Sequence, residues 1–122
     1  MASRILIVDD SPPIRHCIRT YIEELTEFEI CGEAENGQIA VEKTKDLRPD
    51  LVILDLSMPV MNGLDAARQI NRASPDTPLI LFTMHNSEAL SKEAKLAGIR
   101  NVLSKEQGMG DLLFSVRALL GM

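Results

Sequence analysis

Carboxylates follow two strongly aliphatic runs of the sequence. Asp9 and Asp10 come directly after ILIV at positions 5–8, and Asp55 comes directly after LVIL at positions 51–54. A charge at the end of a buried segment is costly unless it is paired or used. Adjacent carboxylates repel one another and favour a cation, and an all-oxygen ligand set suits Mg²⁺, which often shares a phosphate. The pattern therefore indicates a magnesium site.

A hydroxyl and an ammonium follow two further aliphatic runs. Thr83 comes after LILF at positions 79–82, and Lys105 comes shortly after VL at positions 102–103. Threonine offers a hydroxyl donor, and lysine offers a positive point charge for phosphate. The sequence contains neither GxxxxGK[ST] nor GxGxxG, so a phosphate carried covalently is favoured over a bound nucleotide. The residues together predict a Mg²⁺ site beside a phosphoryl acceptor.

The elements that must position these residues alternate along the chain. Continuous apolar runs are typical of strands buried on both faces, as in parallel sheets. The stretch 28–34 differs, since Phe28, Ile30 and Gly32 alternate with more polar residues, which predicts an edge strand. Helical patterns fill the intervals: one runs from a Ser11 N-cap to Leu25, and the others cover 37–47, 64–72, 87–97 and 110–120.

Five strands alternating with five helices predict an α/β fold. We expect a doubly wound (βα)5 flavodoxin-like sandwich with a parallel five-stranded sheet of order 2-1-3-4-5. Ligands of open α/β sheets bind outside the carboxyl ends of the strands. Each candidate residue alone is more typical of a turn, a helix cap or a solvated charge. Their joint position at successive strand ends favours a functional site.

Composition narrows the class of protein. The chain has 122 residues and a net charge of −5, with 45% apolar and 25% charged residues, as in one globular domain. The acidic balance disfavours direct contact with nucleic acid. The sequence lacks a signal-peptide pattern and an apolar run that could span a membrane, so we expect a cytoplasmic location. Cys17 and Cys31 are predicted to be buried, reduced thiols.

Four features together resemble the receiver domain of bacterial two-component response regulators. IVDDS at 7–11 is similar to the family's acidic pair, and DLSMPVMNG at 55–63 is similar to its D-x-x-M-P-x-x-x-G block. Thr83 and Lys105 resemble its hydroxyl and lysine. The resemblance covers the whole chain, which we expect to be one receiver domain over 1–122. TMH at 83–85, with an acid after the lysine, resembles the subgroup linked to LuxR-type helix-turn-helix output domains.

The resemblance implies a role for each residue of the phosphoryl site. Asp55 would be the nucleophile that takes a phosphoryl group from the phosphohistidine of a sensor histidine kinase. Thr83 and Lys105 would hold the phosphoryl oxygens. The domain would catalyse its own phosphorylation and dephosphorylation, without being a conventional enzyme. Ser57 and His85 flank the expected site and could tune hydrolysis by positioning water.

The resemblance also implies a cofactor and partners. Asp10 and Asp55 would bind Mg²⁺ directly, the Ser57 carbonyl would be a third ligand, and Asp9 would act through a metal-bound water. Phosphorylation would change the face of helix 87–97, and this change would control an output domain or a partner. The partner could be a second copy of the chain, in a homodimer. This chain shows no LuxR-type DNA-binding domain, so we expect a stand-alone or excised receiver.

The sequence departs from the family pattern at three positions. Val102 stands where many receivers have an aromatic residue, Glu106 stands where many have proline, and Met84 stands where a small residue is common. Val102 leaves open a pseudo-receiver, a binding module that does not depend on phosphorylation. A phosphatase of the haloacid dehalogenase type is a further alternative, but it needs a second acid two residues after the nucleophile, where this chain has Ser57.

Overall fold

The sheet lies between two layers of helices. The structure, a computed structural model, describes residues 2–84 and 86–121. Within these ranges the strands are all parallel and have the order β2-β1-β3-β4-β5, which confirms the predicted fold class. None of the described helices is long and apolar enough to cross a membrane. The elements are β1 Arg4–Val8, α1 Pro12–Leu25, β2 Glu29–Ala34, α2 Gly37–Leu47, β3 Leu51–Leu54, α3 Gly63–Ala73, β4 Leu79–Thr83, α4 Glu88–Leu96, β5 Asn101–Ser104 and α5 Met109–Leu119, with a 3₁₀ turn at Lys105–Gln107.

The core occupies both faces of the sheet, as continuous apolar strands require. One face meets α1 and α5, and the other meets α2, α3 and α4. Because side chains alternate along a strand, each inner strand contributes to both layers. The strand residues of the first layer include Ile5, Ile7, Ile53, Ile80 and Phe82, and those of the second include Leu6, Val8, Val52, Leu54, Leu79 and Leu81. This burial of both faces confirms the interpretation of the aliphatic runs.

The edge strand β2 contains an irregularity that its sequence pattern does not show. Ile5 of β1 pairs with Ile30, whereas the next residue, Leu6, pairs with Gly32, so Cys31 is an extra residue in the ladder. A Cβ at Gly32 would lie 3.4 Å from Leu6 Cδ1, on the α2 side of the sheet. Ile30 packs on the α1 side. The prediction that Gly32 shares a face with Ile30 was therefore wrong, because one inserted residue reverses the faces that follow it.

Helix α1 buries only a narrow line of its side chains. The Ser11 N-cap is confirmed, since the Ser11 hydroxyl accepts the Ile14 amide N–H at 3.4 Å. Ile18 and Ile22 are fully buried, but Cys17 is exposed and Cys31 of β2 is half-buried. The prediction of a buried thiol was thus wrong for Cys17, because only one line of α1 side chains reaches the sheet.

Helix α4 has little apolar anchoring. Ala94 is fully buried, Leu90 is half-buried, and Leu96 is 87% exposed. Ser87 caps the helix by accepting the Leu90 amide N–H at 3.1 Å, as the sequence predicts. Ala97 is buried directly after the last helical residue. The apolar contact of α4 with the sheet therefore depends largely on small side chains.

Candidate functional site

The ends of two neighbouring strands bring three carboxylates together. β1 and β3 are paired up to Val8 and Leu54, so the residues that follow, Asp9 and Asp55, leave the sheet side by side. The Asp55 N–H donates to the Val8 carbonyl at 2.9 Å and extends this ladder. One oxygen from each of Asp9, Asp10 and Asp55 lies within 4.8 Å of the others. The cluster offers three hard oxygen donors at short range, which suits a small divalent cation.

The cluster is closed on the protein side and open on the solvent side. Asp9 is 2% exposed and Asp55 is 7% exposed, whereas Asp10 is an exposed residue. A cation could therefore approach past Asp10 and keep part of its hydration shell, which is typical of Mg²⁺. This geometry supports the expectation of a metal site, and the chemistry of the donors fits the ion.

Lys105 supplies the positive charge of the pocket. Its Nζ lies 2.6 Å from Asp9 Oδ2 and 3.5 Å from Asp55 Oδ1. The Lys105 side chain is only 11% exposed, because it extends from the end of β5 over the sheet edge toward β1. A buried charge is tolerated when it is paired, and here one ammonium serves two carboxylates.

The environment of Asp55 disfavours its ionised form. Burial raises the pKa of Asp55 above its ordinary value, and the negative charge of Asp9 raises that pKa further. The Lys105 ammonium and the Leu56 N–H act in the opposite direction without cancelling the shift in pKa. The Leu56 N–H donates to Asp55 Oδ1 at 2.8 Å. The pocket therefore has an excess of negative charge, which a bound cation would relieve.

The loop after β3 turns back tightly against the strand end. The Gly63 N–H donates to the Leu56 carbonyl at 2.9 Å. A Cβ at Gly63 would lie 2.1 Å from the Asp55 carbonyl oxygen, so no larger residue fits this backbone. Gly63 also begins α3, whose Asn62 cap accepts the Asp65 amide N–H at 2.9 Å. The glycine thus allows the helix to start directly beside Asp55.

The same loop contains a strained turn. Val60 has φ 69° and is 82% exposed, and the Met61 N–H donates to the Pro59 carbonyl at 2.7 Å across it. A β-branched residue with positive φ is an outlier, and a three-residue turn of this hand is rare. Ser57 precedes this turn and is exposed. Its main chain lies two residues beyond Asp55 in the loop that borders the pocket.

The remaining predicted residues lie in β5 or at the end of β4 and just beyond it. Thr83 is 1% exposed at the end of β4 and is paired in register with Ser104 of β5. Val102 is half-buried, is paired with Leu81, and packs against the α2 side of the core. Met84 is 52% exposed. His85, which was considered for control of hydrolysis, lies outside the described residues.

Sequence reasoning missed Arg15, which contacts the site from outside, and Glu33, which holds Arg15. An Arg15 terminal nitrogen (Nη1) donates to the Asp9 carbonyl at 2.6 Å, and Arg15 Nε donates to Glu33 Oε1 at 2.9 Å. The only signal in the sequence is a basic residue on the helix after the acidic pair and an acid in the next strand. That signal is weak, because charges on helix and strand surfaces are usually solvated.

Comparison with known proteins settles the family. The sequence pattern described as the response regulator receiver domain matches residues 5–117. This chain belongs to that family. The receiver therefore has its place in two-component signalling, and the resemblance found in its sequence is confirmed. The same membership argues against a haloacid dehalogenase phosphatase.

Individual relatives include a transcriptional regulator and a chemotaxis protein. The receiver is 36% identical to the transcriptional regulatory protein YdfI of Bacillus subtilis over 118 residues, which are 97% of this chain and 55% of YdfI. It is 39% identical to the chemotaxis protein CheY of Thermotoga maritima over 105 residues, which are 86% of this chain and 87% of CheY. The receiver thus spans about half of YdfI but most of CheY.

A solved structure from the LuxR family of response regulators has the same fold. The two-component response regulator of this family from Aurantimonas sp. SI85-9A1 superposes with a TM-score of 0.93 at 30% sequence identity. The match covers 99% of this chain and 87% of that chain. LuxR-family regulators are therefore among the structural neighbours of this receiver, in agreement with the subgroup indicated by its sequence.

Proposed function

We propose that this receiver, as a single domain over 1–122, takes a phosphoryl group onto Asp55 from the phosphohistidine of a sensor histidine kinase. The observation that carries the proposal is the setting of Asp55. It is a nearly buried carboxylate with an ammonium at 3.5 Å and two further carboxylates in the same cluster. Such a carboxylate costs stability unless its charge is used. Phosphoryl transfer in the presence of a cation is a use that explains every member of the cluster.

The transfer is a displacement at phosphorus. A carboxylate oxygen of Asp55 forms a bond to phosphorus, the bond from phosphorus to the histidine nitrogen breaks, and its electron pair stays on the imidazole. Lys105 then pairs with the oxygens of the phosphoryl group, which carry the negative charge. The Thr83 hydroxyl donates a hydrogen bond to the same group. Asp55 must be ionised to react, and its raised pKa makes the carboxylate a better base when it is ionised.

Four residues would hold Mg²⁺ in this proposal. Asp10 and Asp55 would bind it directly, the Ser57 carbonyl would be a third ligand, and Asp9 would act through a water. Asp9 is the carboxylate already engaged by Lys105 at 2.6 Å, which supports its more distant role. The ion, when bound, neutralises charge on the phosphoryl oxygens. The protein supplies the oxygen donors and the solvent-facing opening beside Asp10.

The output of the switch is proposed to pass through α4. Movement of Thr83 toward the phosphoryl group pulls the segment that leads into α4, the helix whose sheet contact depends on small side chains. The partner would be an output domain, of which a LuxR-type DNA-binding domain is one example, or a second copy of the receiver. The resemblance to a transcriptional regulatory protein supports a role in transcription.

Phosphorylation by a small donor tests the proposal. Acetyl phosphate with Mg²⁺ should add the mass of one phosphate to the protein, and omission of Mg²⁺ should abolish this gain. Asp55→Asn keeps the shape of the side chain and should not be labelled. Labelling of Asp55→Asn to the level of the parent would move the acceptor elsewhere. A parent protein that takes up no phosphate with Mg²⁺ would favour the pseudo-receiver, a binding module independent of phosphorylation.

A further inference from the structure

An arginine outside the pocket forms a hydrogen bond to the loop that carries Asp9 and Asp10. Arg15 projects from the second turn of α1 and donates through a terminal nitrogen (Nη1) to the main-chain carbonyl of Asp9 at 2.6 Å. This contact is made to the peptide group and not to the carboxylate. The Arg15 side chain is only 17% exposed. Arg15 therefore acts on the backbone of the loop that carries the acidic pair.

The guanidinium of Arg15 is itself fixed by Glu33 of β2. Arg15 Nε lies 2.9 Å from Glu33 Oε1, while Arg19 Nε lies 2.8 Å from Glu33 Oε2. Burial acts to raise the pKa of Glu33, but hydrogen bonds from Arg19 and Arg15 outweigh it and lower that pKa. Glu33 is thus held as an anion between two arginines, and the planar guanidinium of Arg15 has a defined orientation.

The carbonyl that Arg15 holds belongs to the peptide linking Asp9 to Asp10. The orientation of that peptide determines where the Asp10 side chain points. Asp9 has several other restraints, since its N–H donates to Ala34 at 3.0 Å and its carboxylate contacts Lys105. Asp10 is exposed, so packing does little to orient it. The Ser11 N–H donates to Asp9 Oδ1 at 2.9 Å and restrains the peptide after Asp10. The Arg15 contact restrains the peptide before it, so the orientation of Asp10 depends on both hydrogen bonds.

We propose that Arg15, fixed by Glu33, is a positioning residue that presents the Asp10 carboxylate to the divalent cation. The inference rests on the proposed metal site and extends it to residues outside the pocket. Partners of this kind orient metal ligands without touching the metal, and their loss typically weakens metal affinity by about 10- to 100-fold.

Removal of Arg15 would change the Mg²⁺ affinity in opposite directions through its charge and through its positioning role. A cation near an acidic pocket repels Mg²⁺, so loss of its charge alone would tighten Mg²⁺ binding. Loss of positioning would weaken it. Arg19 provides a matched control, because it also bonds to Glu33 but its contacts are with Glu33 and Glu23 and not with the Asp9 carbonyl.

The experiment measures the Mg²⁺ dissociation constant of the full chain by calorimetric titration. Arg15→Ala is expected to bind Mg²⁺ about tenfold more weakly than the parent. Arg19→Ala should bind as tightly as the parent or slightly more tightly. Arg15→Lys, which keeps the charge but lacks the planar set of N–H donors that joins the Asp9 carbonyl to Glu33, should recover part of the affinity. Glu33→Gln, which removes the negative charge that holds the Arg15 guanidinium and leaves the pocket intact, should lose part of it.

Urea unfolding without Mg²⁺ shows whether each variant is folded. If Arg15→Ala is unfolded, Arg15→Lys and Glu33→Gln test the proposal in its place. A Mg²⁺ affinity equal to that of the parent in both variants overturns the proposal. Unchanged or tighter binding in a folded Arg15→Ala also overturns it, as does an equal loss in Arg19→Ala. A parent that binds no Mg²⁺ overturns the metal site as well. Weak Mg²⁺ binding in Arg15→Ala, with normal Mg²⁺ binding in the parent and in Arg19→Ala, supports the positioning role of Arg15.

Discussion

At Asp55 the demands of stability and of chemistry oppose each other. The proposed nucleophile must be ionised, yet burial and the charge of Asp9 raise its pKa. The folded protein therefore binds a proton at Asp55 more readily than the unfolded chain does. Ionisation of Asp55 therefore lowers the free energy of unfolding. The loss develops as the pH rises from 3.8, the ordinary pKa, through the raised pKa of the folded protein. At neutral pH, without a cation, the full penalty applies.

Asp55→Asn should consequently stabilise the metal-free protein at neutral pH. The substitution removes the buried charge and its repulsion by Asp9, while it keeps the shape of the side chain. The gain in free energy of unfolding should shrink as the pH falls through the raised folded pKa of Asp55, and it should vanish only below the ordinary value of 3.8, where the parent Asp55 is protonated in both states. Urea unfolding in a chelator at pH 7 and at mildly acidic pH measures the difference. A mutant less stable than the parent at pH 7 would contradict this account.

At the scale of elements, the start of α3 depends on the absence of a side chain at Gly63. Gly63→Ala would place a Cβ 2.1 Å from the Asp55 carbonyl oxygen, so the loop or the strand end must shift. We expect a loss of about 2–3 kcal/mol or more in the free energy of unfolding. Phosphorylation should fall as well, because the shift displaces Asp55. Chemical denaturation and labelling by acetyl phosphate measure the two effects.

Gly110 provides a matched control for that substitution. It lies in α5, and a Cβ there would meet nothing within 4 Å. Gly110→Ala should therefore leave the free energy of unfolding unchanged or raise it by at most about 0.5–1 kcal/mol, because Gly110 stands in the first turn of the helix, with phosphorylation unchanged. Equal losses of stability in the two variants would show that close approach at Gly63 is not the cause.

The thin anchoring of α4 predicts where phosphorylation acts. Ala94 is the buried residue within the helix, and Leu96 is 87% exposed. Little buried apolar area means a low free energy of local opening. Hydrogen exchange with and without beryllofluoride and Mg²⁺ should change most in α4 and in the segment before it. Changes confined to residues 11–47 would refute this expectation.

At the scale of the whole molecule, metal binding should be coupled to unfolding. Mg²⁺ that binds only the folded receiver stabilises it by about 2.7 kcal/mol at a concentration 100 times the dissociation constant. The melting temperature should therefore rise with Mg²⁺ concentration. Asp10→Ala should abolish both this rise and phosphorylation. A Mg²⁺ response in Asp10→Ala equal to that of the parent would show that Asp10 is not a ligand.

The sequence by itself determined much of the architecture. Apolar runs without polar alternation indicated strands buried on both faces, and the caps at Ser11 and Ser87 placed the starts of two helices. The strand order came from the general behaviour of five-stranded doubly wound folds rather than from particular residues. The positions of Asp9 and Asp55 after apolar runs sufficed to predict that these carboxylates meet, because parallel strands end at a common edge.

Only the tertiary structure decided which groups lie in contact within that frame. The extra residue at Cys31 in β2, the exposure of Cys17 and the grip of Arg15 on the Asp9 carbonyl were not predicted. The periodicity of apolar residues along a helix or strand indicates which of its side chains avoid water, and this pattern belongs to each element alone. Register across strands and the pairing of a helix cation with a strand anion depend on distant parts of the chain. The ion pair of Lys105 with Asp9 spans 96 residues of sequence, and only the packed sheet brings its two charges to 2.6 Å.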